Sequence, residues 1–563
     1  MPRSTRITTF LSIEPLEARD CPAILAGFSK GTLTVSGFTT IPGDTISINE
    51  TAANQFEVVD GATVIATVNS VSNIKVNLTA ANDIVAIDLG GFTAAGTITV
   101  SLGNGTNSLS VANGTIASNL SVTAGTGTDT IDLGDASNPI ALNGSVAINL
   151  GNGTNSLSFV NGLIDGNLSV TGGTGTDTIN LGAASDPITL NGTNTIRLGN
   201  GSNFLTVLNG LIGNPFSFTG GTGTDTISLG DTSNSLQFLD STTFNVGNGD
   251  NVLTVLKSAF SNGMGFTGGS DLDTVTLGDG SNPIAITGTI SINGGNGDDD
   301  VLVIESDVTL NGNLNTYYVN DISIANSSVI NGTATVYAGS GGYAVEVAGQ
   351  ITGDLIFRSV NSSTYNPSSL HLAATAVVGR DLSFTSSNFN TFGNSLITDA
   401  GSSVGRDLRF YGTNLADTVT IAGDVGRDLN LATRNGDDYV TVASTATIGN
   451  RALIAFGNGT NFLDFDGTVS NSGGSTLPTL NVTSGSGSNV ITFGANTSVT
   501  GNAVVLLGSG TNLLDLRDGA AITGTLTANG GSNAASKFRG SVTISHATLV
   551  VTGFPILDPS ANP

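Results

Sequence analysis

The chain has 563 residues, 17 of them basic and 43 acidic, for a formal net charge of −26 at pH 7. Nucleic acid is excluded as a partner, because phosphate binding needs a basic patch and no basic residue occurs between Lys75 and Arg197. One cysteine, Cys21, leaves no disulfide framework and no Cys-based metal site, and no run of apolar residues is long enough for a membrane-spanning helix.

Charged residues make up only 11% of the chain, less than half the usual share of a soluble domain. Gly numbers 77 and Trp is absent, so Thr, Ser and Asn must supply most of the polar surface. That composition suits turns and β-structure, where Gly and Asn take positive φ and Thr tolerates the pleat. Surplus acid keeps a long array soluble and can collect cations.

In chain order, Arg3 and Arg6 precede a short apolar run, Ile7 to Ile13, followed by Glu14-Pro15-Leu16-Glu17-Ala18-Arg19-Asp20-Cys21-Pro22-Ala23. The apolar run is short for a secretory signal. The segment resembles the Leu-Glu-Pro-Arg-type N-terminal export segment of large repeat-bearing surface proteins of planctomycete bacteria. The resemblance implies that residues 1–25 are an export or sorting segment and that the protein is extracellular or on the cell surface. Residues 26–95 hold irregularly spaced strand patterns, such as Thr32-Leu33-Thr34-Val35 and Ile74-Lys75-Val76-Asn77-Leu78, with a hairpin signal at Asp60-Gly61. They are expected to form an N-terminal β cap shielding the first open edge of a repeat array.

Residues 96–305 are periodic. Asp recurs at 129, 177, 225 and 273, and Asn at 107, 155, 203 and 251, each series in steps of 48. The two series interleave at 22 and 26 residues, so each 48-residue unit contains two half-units. Repeats of this length indicate a solenoid. Each half-unit carries three short runs of alternating apolar residues closed by Gly, Asn or Pro, as in Thr130-Ile131-Asp132-Leu133, Ile140-Ala141-Leu142 and Val146-Ala147-Ile148-Asn149-Leu150. Three strands per 22–26-residue rung predict an all-β chain folded as a right-handed parallel β-helix, with Ile131, Leu133, Ile140, Leu142, Ile148 and Leu150 pointing inward. Pro139, Pro187 and Pro283 recur where a strand begins, a place that tolerates loss of a ladder N–H. Residues 306–555 continue as less regular rungs of the same solenoid, including Gly-Arg-Asp-Leu at 379–382, 405–408 and 426–429, and residues 556–563 read as a tail.

Gly172 to Ile179, Gly220 to Ile227 and Gly294 to Val301 each fit the pattern G-G-x-G-x-D-x-U, which resembles the calcium-binding nonapeptide of RTX proteins. The resemblance implies calcium at Asp177, Asp225, Asp273, Asp298, Asp299 and Asp300, with Asn435-Gly436-Asp437-Asp438 a second place. Spacing argues for something else. Calcium takes six to eight oxygens, yet the full motif returns only every 48 residues, and the rung between offers neutral Asn. Carboxylates two rungs apart are separated by roughly 10 Å, about one Debye length in physiological salt. A ladder of Asn and Asp turns, each bonding backbone groups, then needs no cofactor, and calcium is the alternative. The ladder has one exception, Asp299, where the 48-step from Asn251 reaches an acid.

Catalytic signals are sparse. His371 alternates outward in Leu370-His371-Leu372, and His546 lies near the C-terminus. Arg380, Arg406 and Arg427 with Asp381, Asp407 and Asp428 read as ion-paired surface rungs. Thr128-Asp129-Thr130 and Thr176-Asp177-Thr178 suggest a flat hydroxyl face for ice or crystalline glycan, but the alternate rungs break its regularity. The expectation is a structural or adhesive surface protein meeting an envelope or extracellular glycan or another surface protein. The alternatives are a calcium-stabilised repeat protein and a polysaccharide lyase or glycoside hydrolase.

Overall fold

The computed structural model describes residues 24–37, 45–297, 299–339, 342–359, 367–386, 392–540 and 548–558. Most of the expected export segment, with Cys21, and also Asp298 and His546, lies outside them. Among the described residues every regular element is a β-strand, and no helix is long and apolar enough to cross a membrane. The fold is a parallel β-solenoid of about 20 rungs. At the usual spacing of about 4.8 Å between strands, it extends roughly 100 Å.

Each rung contributes one strand to each of three sheets. A typical rung supplies Thr130–Leu133 to the second sheet, Ile140–Leu142 to the third and Val146–Gly153 to the first. Through the rungs, strands pair in parallel with their equivalents one rung on, and like positions stack: Ile131 on Leu157, Leu142 on Ile164, Ile148 on Val170. The alternation sends every second side chain inward, and these residues are almost completely buried. Each such Leu, Ile or Phe contributes roughly 1.5–3 kcal/mol by leaving water. Because a rung touches only its neighbours, stability accumulates rung by rung. Aromatic stacks thread the interior, including Phe238 on Phe260 at 4.7 Å and 6°, and Phe384 between Phe357 at 4.5 Å and Phe410 at 5.2 Å.

Parallel rungs begin earlier than residue 96. Thr32–Gly37 already pairs in parallel with Asn73–Asn77, and Thr45–Ala52 with Ile84–Asp88. Shielding of the open edges falls to three antiparallel strands. Ile24–Ser29 lies on Thr32–Gly37. Gln55–Asp60 lies on Thr45–Ala52 and is covered in turn by Thr63–Asn69, across the hairpin at Asp60-Gly61. At the other end, Ile556–Asp558 pairs with Lys537–Arg539, so the second sheet continues into the expected tail. The three repeated prolines sit one residue before the third-sheet strands that start at Ile140, Ile188 and Ile284.

Glycine is required where the first sheet turns into the second. Gly201 has φ +130°, and a Cβ there would lie 1.7 Å from the Gly175 carbonyl oxygen. Stacked turns approach one another too closely for any side chain, which accounts for the recurring second glycine of the Gly-Asn-Gly and Gly-Thr-Gly turns.

Candidate functional site

The Asp and Asn series meet at one corner of the solenoid, just before the second-sheet strand, with their side chains turned inward. Asp129, Asp177, Asp225, Asn155, Asn203 and Asn251 are all between 0 and 2% exposed. Each Asn Nδ2 donates to the Asp Oδ1 of the next rung: Asn107 to Asp129 at 2.8 Å, Asn155 to Asp177 at 2.9 Å, Asn203 to Asp225 at 2.9 Å and Asn251 to Asp273 at 2.8 Å. Each Asp N–H in turn donates to the Asn Oδ1 of the following rung, as Asp129 does to Asn155 at 3.1 Å and Asp225 to Asn251 at 2.8 Å. Asn203 and Asn251 also tie down their own turns, donating to the Gly201 and Gly249 carbonyls. The sequence motif therefore builds a continuous polar rail that pairs backbone groups at a corner where the sheets cannot.

The rail corrects one expectation. Asp273 N–H donates to Asp300 Oδ1 at 2.8 Å, and Asp300 is 1% exposed. The rail position is Asp300, not Asp299, so this step is 27 residues where the earlier Asp-to-Asn steps are 26. Asp299 takes φ +80° and stays exposed, absorbing the extra residue in the left-handed conformation that Asp tolerates. Two acids now sit on adjacent rungs, as they do again at Asp417 and Asp438.

Burial sets the electrostatics of the rail. It pushes the carboxyls of Asp225, Asp273, Asp417 and Asp438 up to about 6, against the lowering effect of their hydrogen bonds. Asp225 Oδ2 has no hydrogen-bond partner. Of the six residues expected to ligate calcium, Asp177, Asp225, Asp273 and Asp300 are thus buried rail members, Asp299 is an exposed turn residue, and Asp298 is outside the described residues. Among the described residues, no three His, Cys, Asp or Glu side chains are grouped so as to hold a metal ion.

A second rail follows the corner where the third sheet turns into the first. Asn119 Oδ1 accepts from Ser145 N–H at 2.8 Å and Asn167 Oδ1 from Thr193 N–H at 3.0 Å. In the Gly-Arg-Asp-Leu rungs, Asp takes over this position: Asp354 accepts from Asp381 N–H and Asp381 from Asp407 N–H. Each Arg then pairs with the acid one rung back, Arg380 with Asp354 at 3.5 Å, Arg406 with Asp381 at 3.4 Å and Arg427 with Asp407 at 2.5 Å. Asp407 also meets Arg409. Burial would raise its carboxyl, but these two guanidinium groups hold it below the ordinary range. The arrangement is the expected ion-paired rung, with the partner one coil away rather than adjacent in sequence.

The outward face of the second sheet is where rungs differ. From Ser108 to Thr276 its outward positions are mostly Ser and Thr, with Asn180, Phe204 and Val252 among the exceptions, and Asp132 is the only charged one. The next strand, Val301–Ile304, turns Val301 and Val303 outward, and the three after it turn out Asp321 and Ser323, Ala344 and Glu346, and Ser369 and His371. Glu346 lies directly beside Ser323 on one neighbour and His371 on the other. His371 Nε2 is 3.1 Å from Asp399 Oδ2. These residues, with Val301 as an apolar end, line an open groove of about 310 Å³. Burial, and then the nearby Asp299, raise the Asp321 carboxyl. The rail is also interrupted here, with Tyr343 and Ser368 at its positions before Ala344 and Ser369.

No family model matches the chain, and no curated protein or solved structure matches it. His371 is legible in the sequence as an outward strand residue, whereas Asp321 and Glu346 are not legible there as members of a site. Their signal is the strand alternation combined with register, which cannot be read once the 48-residue step is lost.

Proposed function

We propose that the protein is an exported, elongated surface rod with a structural or adhesive role, meeting an envelope or extracellular glycan or another surface protein through its sides. The observation that supports this reading is repetition: about 20 near-equivalent rungs stacked on one continuous core. Such an array multiplies length and lateral surface, and each rung contributes the same increment of both. The Ser- and Thr-rich outer positions of the second sheet give that surface many hydrogen-bonding groups and almost no charge. The resemblance of residues 14–23 to planctomycete export segments agrees with a location outside the cell.

Protease shaving and antibody labelling of intact cells test the location, and a cytoplasmic protein overturns the reading. Electron microscopy of the purified protein should show rods of roughly 100 Å. Within the same reading, the polar rail holds the rod without an ion, so the unfolding midpoint in chelator should equal that in calcium. A midpoint that falls in chelator returns the assignment to a calcium-stabilised repeat protein.

A further inference from the structure

On the outer face of the second sheet, three successive strands bring Asp321, Glu346 and His371 into one groove. Its polar side chains are two carboxylates, two hydroxyls and one imidazole. Asp321 and Glu346 present carboxylates. His371 Nε2 lies 3.1 Å from Asp399 Oδ2, so one of its two ring nitrogens is already turned to an acid. Ser323 and Ser369 can donate or accept. Among the described residues, no Lys or Arg lines the groove. Such a surface is complementary to a ligand rich in N–H donors and positively charged, and the net charge of −26 draws cations towards it.

A bare metal ion fits poorly, because it needs its ligands around one point. Asp321, Glu346 and His371 instead lie on three successive strands, stepped by about 4.8 Å. Donors distributed along a chain match that stepping. Val301 and Ala344, which also line the groove, offer apolar surface to the carbon skeleton between them.

We propose that the groove formed by Asp321, Ser323, Glu346 and His371 binds a linear ligand carrying several ammonium groups. Two sources share this chemistry, a de-N-acetylated amino-sugar oligomer and an aliphatic polyamine. The assignment rests on the groove alone and does not depend on the rod being exported.

The experiment is calorimetric titration of the full-length protein with glucosamine oligomers, with spermidine, and with N-acetylglucosamine oligomers of the same length. The expected result is saturable binding of at least one ammonium probe at one site per chain. Glu346→Gln and Asp321→Asn should each weaken it by about tenfold, the scale of one lost hydrogen bond to a charged group. Asp132→Asn, which removes an outward acid far along the same sheet, should leave it unchanged. Binding of the glucosamine oligomers alone assigns the sugar source, binding of spermidine alone assigns the polyamine, and binding of both supports the shared chemistry. The proposal is overturned if neither ammonium probe binds, if the acetylated oligomer binds equally well, or if binding is non-stoichiometric and Asp132→Asn lowers it as much as Glu346→Gln. Both groove carboxylates are on the outer face, so circular dichroism of the variants should match the unsubstituted protein. Should Glu346→Gln misfold, Asp321→Asn and the acetylated probe still decide the outcome.

Discussion

Replacing Asp225 by Asn separates a self-sufficient polar rail from a calcium site. Asp225 is fully buried, and its carboxyl is pushed from 3.8 up to about 6. Since the folded state holds its proton more tightly than the unfolded chain, this residue supports folding fully at low pH, and that support is lost as pH rises through about 6. A rise of that size corresponds to about 3 kcal/mol at pH 8. Asn keeps the acceptor that Asn203 uses at 2.9 Å. Its amide can donate to its own turn, as Asn203 and Asn251 do to Gly201 and Gly249. Asp225→Asn should therefore stabilise the surrounding rungs by about 1–3 kcal/mol at pH 8, and by less than about 1 kcal/mol at pH 4. Because an array opens locally, the readout is hydrogen exchange of the Asn203, Asp225 and Val252 amides, supported by urea denaturation at both pH values. An Asn variant that is less stable at pH 8, or a difference that does not change with pH, would refute the reasoning. The first result would mean that the carboxylate is held charged, as by a cation, and the second that folding leaves its proton affinity unchanged.

The same geometry leads to other expectations. Burial pushes the carboxyls of Asp225, Asp273, Asp417 and Asp438 up to about 6, so the thermal midpoint should rise as pH falls from 7.5 to 5. It should fall again in stronger acid, where Asp135 and Asp279, held below the ordinary range by Asn138 and Asn282, lose their turn contacts. A midpoint that only declines below pH 7 contradicts this. Phe384→Ala opens a cavity between Phe357 and Phe410 and should cost about 3–5 kcal/mol in denaturant unfolding. Removing both Arg409 and Arg427 leaves the nearly buried Asp407 without its guanidinium partners. The resulting destabilisation at pH 7 should shrink in acid, as pH falls through the lowered Asp407 carboxyl and the group takes up its proton. Equal destabilisation at pH 7 and in acid would show that lost packing, not charge, is responsible.

Sequence alone determined the kind of fold and its repeat. Three alternating apolar runs per half-unit dictated three strands, because period-2 patterning leaves only one buried face per strand. The paired Asp and Asn series dictated a stacked turn, because both side chains are short and can reach neighbouring backbone amides. The Arg-Asp pairing was legible as an ion-paired rung, though not the coil that supplied the partner. What tertiary structure decided was register. It moved the rail from Asp299 to Asp300, since whether an extra residue is absorbed before or after the corner depends on which side chain the next rung can accept. It also started the parallel rungs inside the expected cap, because strands from Thr32 and Thr45 found partners 41 and 39 residues on, past the antiparallel hairpin. And it brought Asp321, Glu346 and His371 together. Asp321 is aligned with a residue 23 further on, and Glu346 with one 25 further on. With rung length varying, a linear count cannot tell neighbours from strangers, and only hydrogen-bonded strand pairing places them side by side.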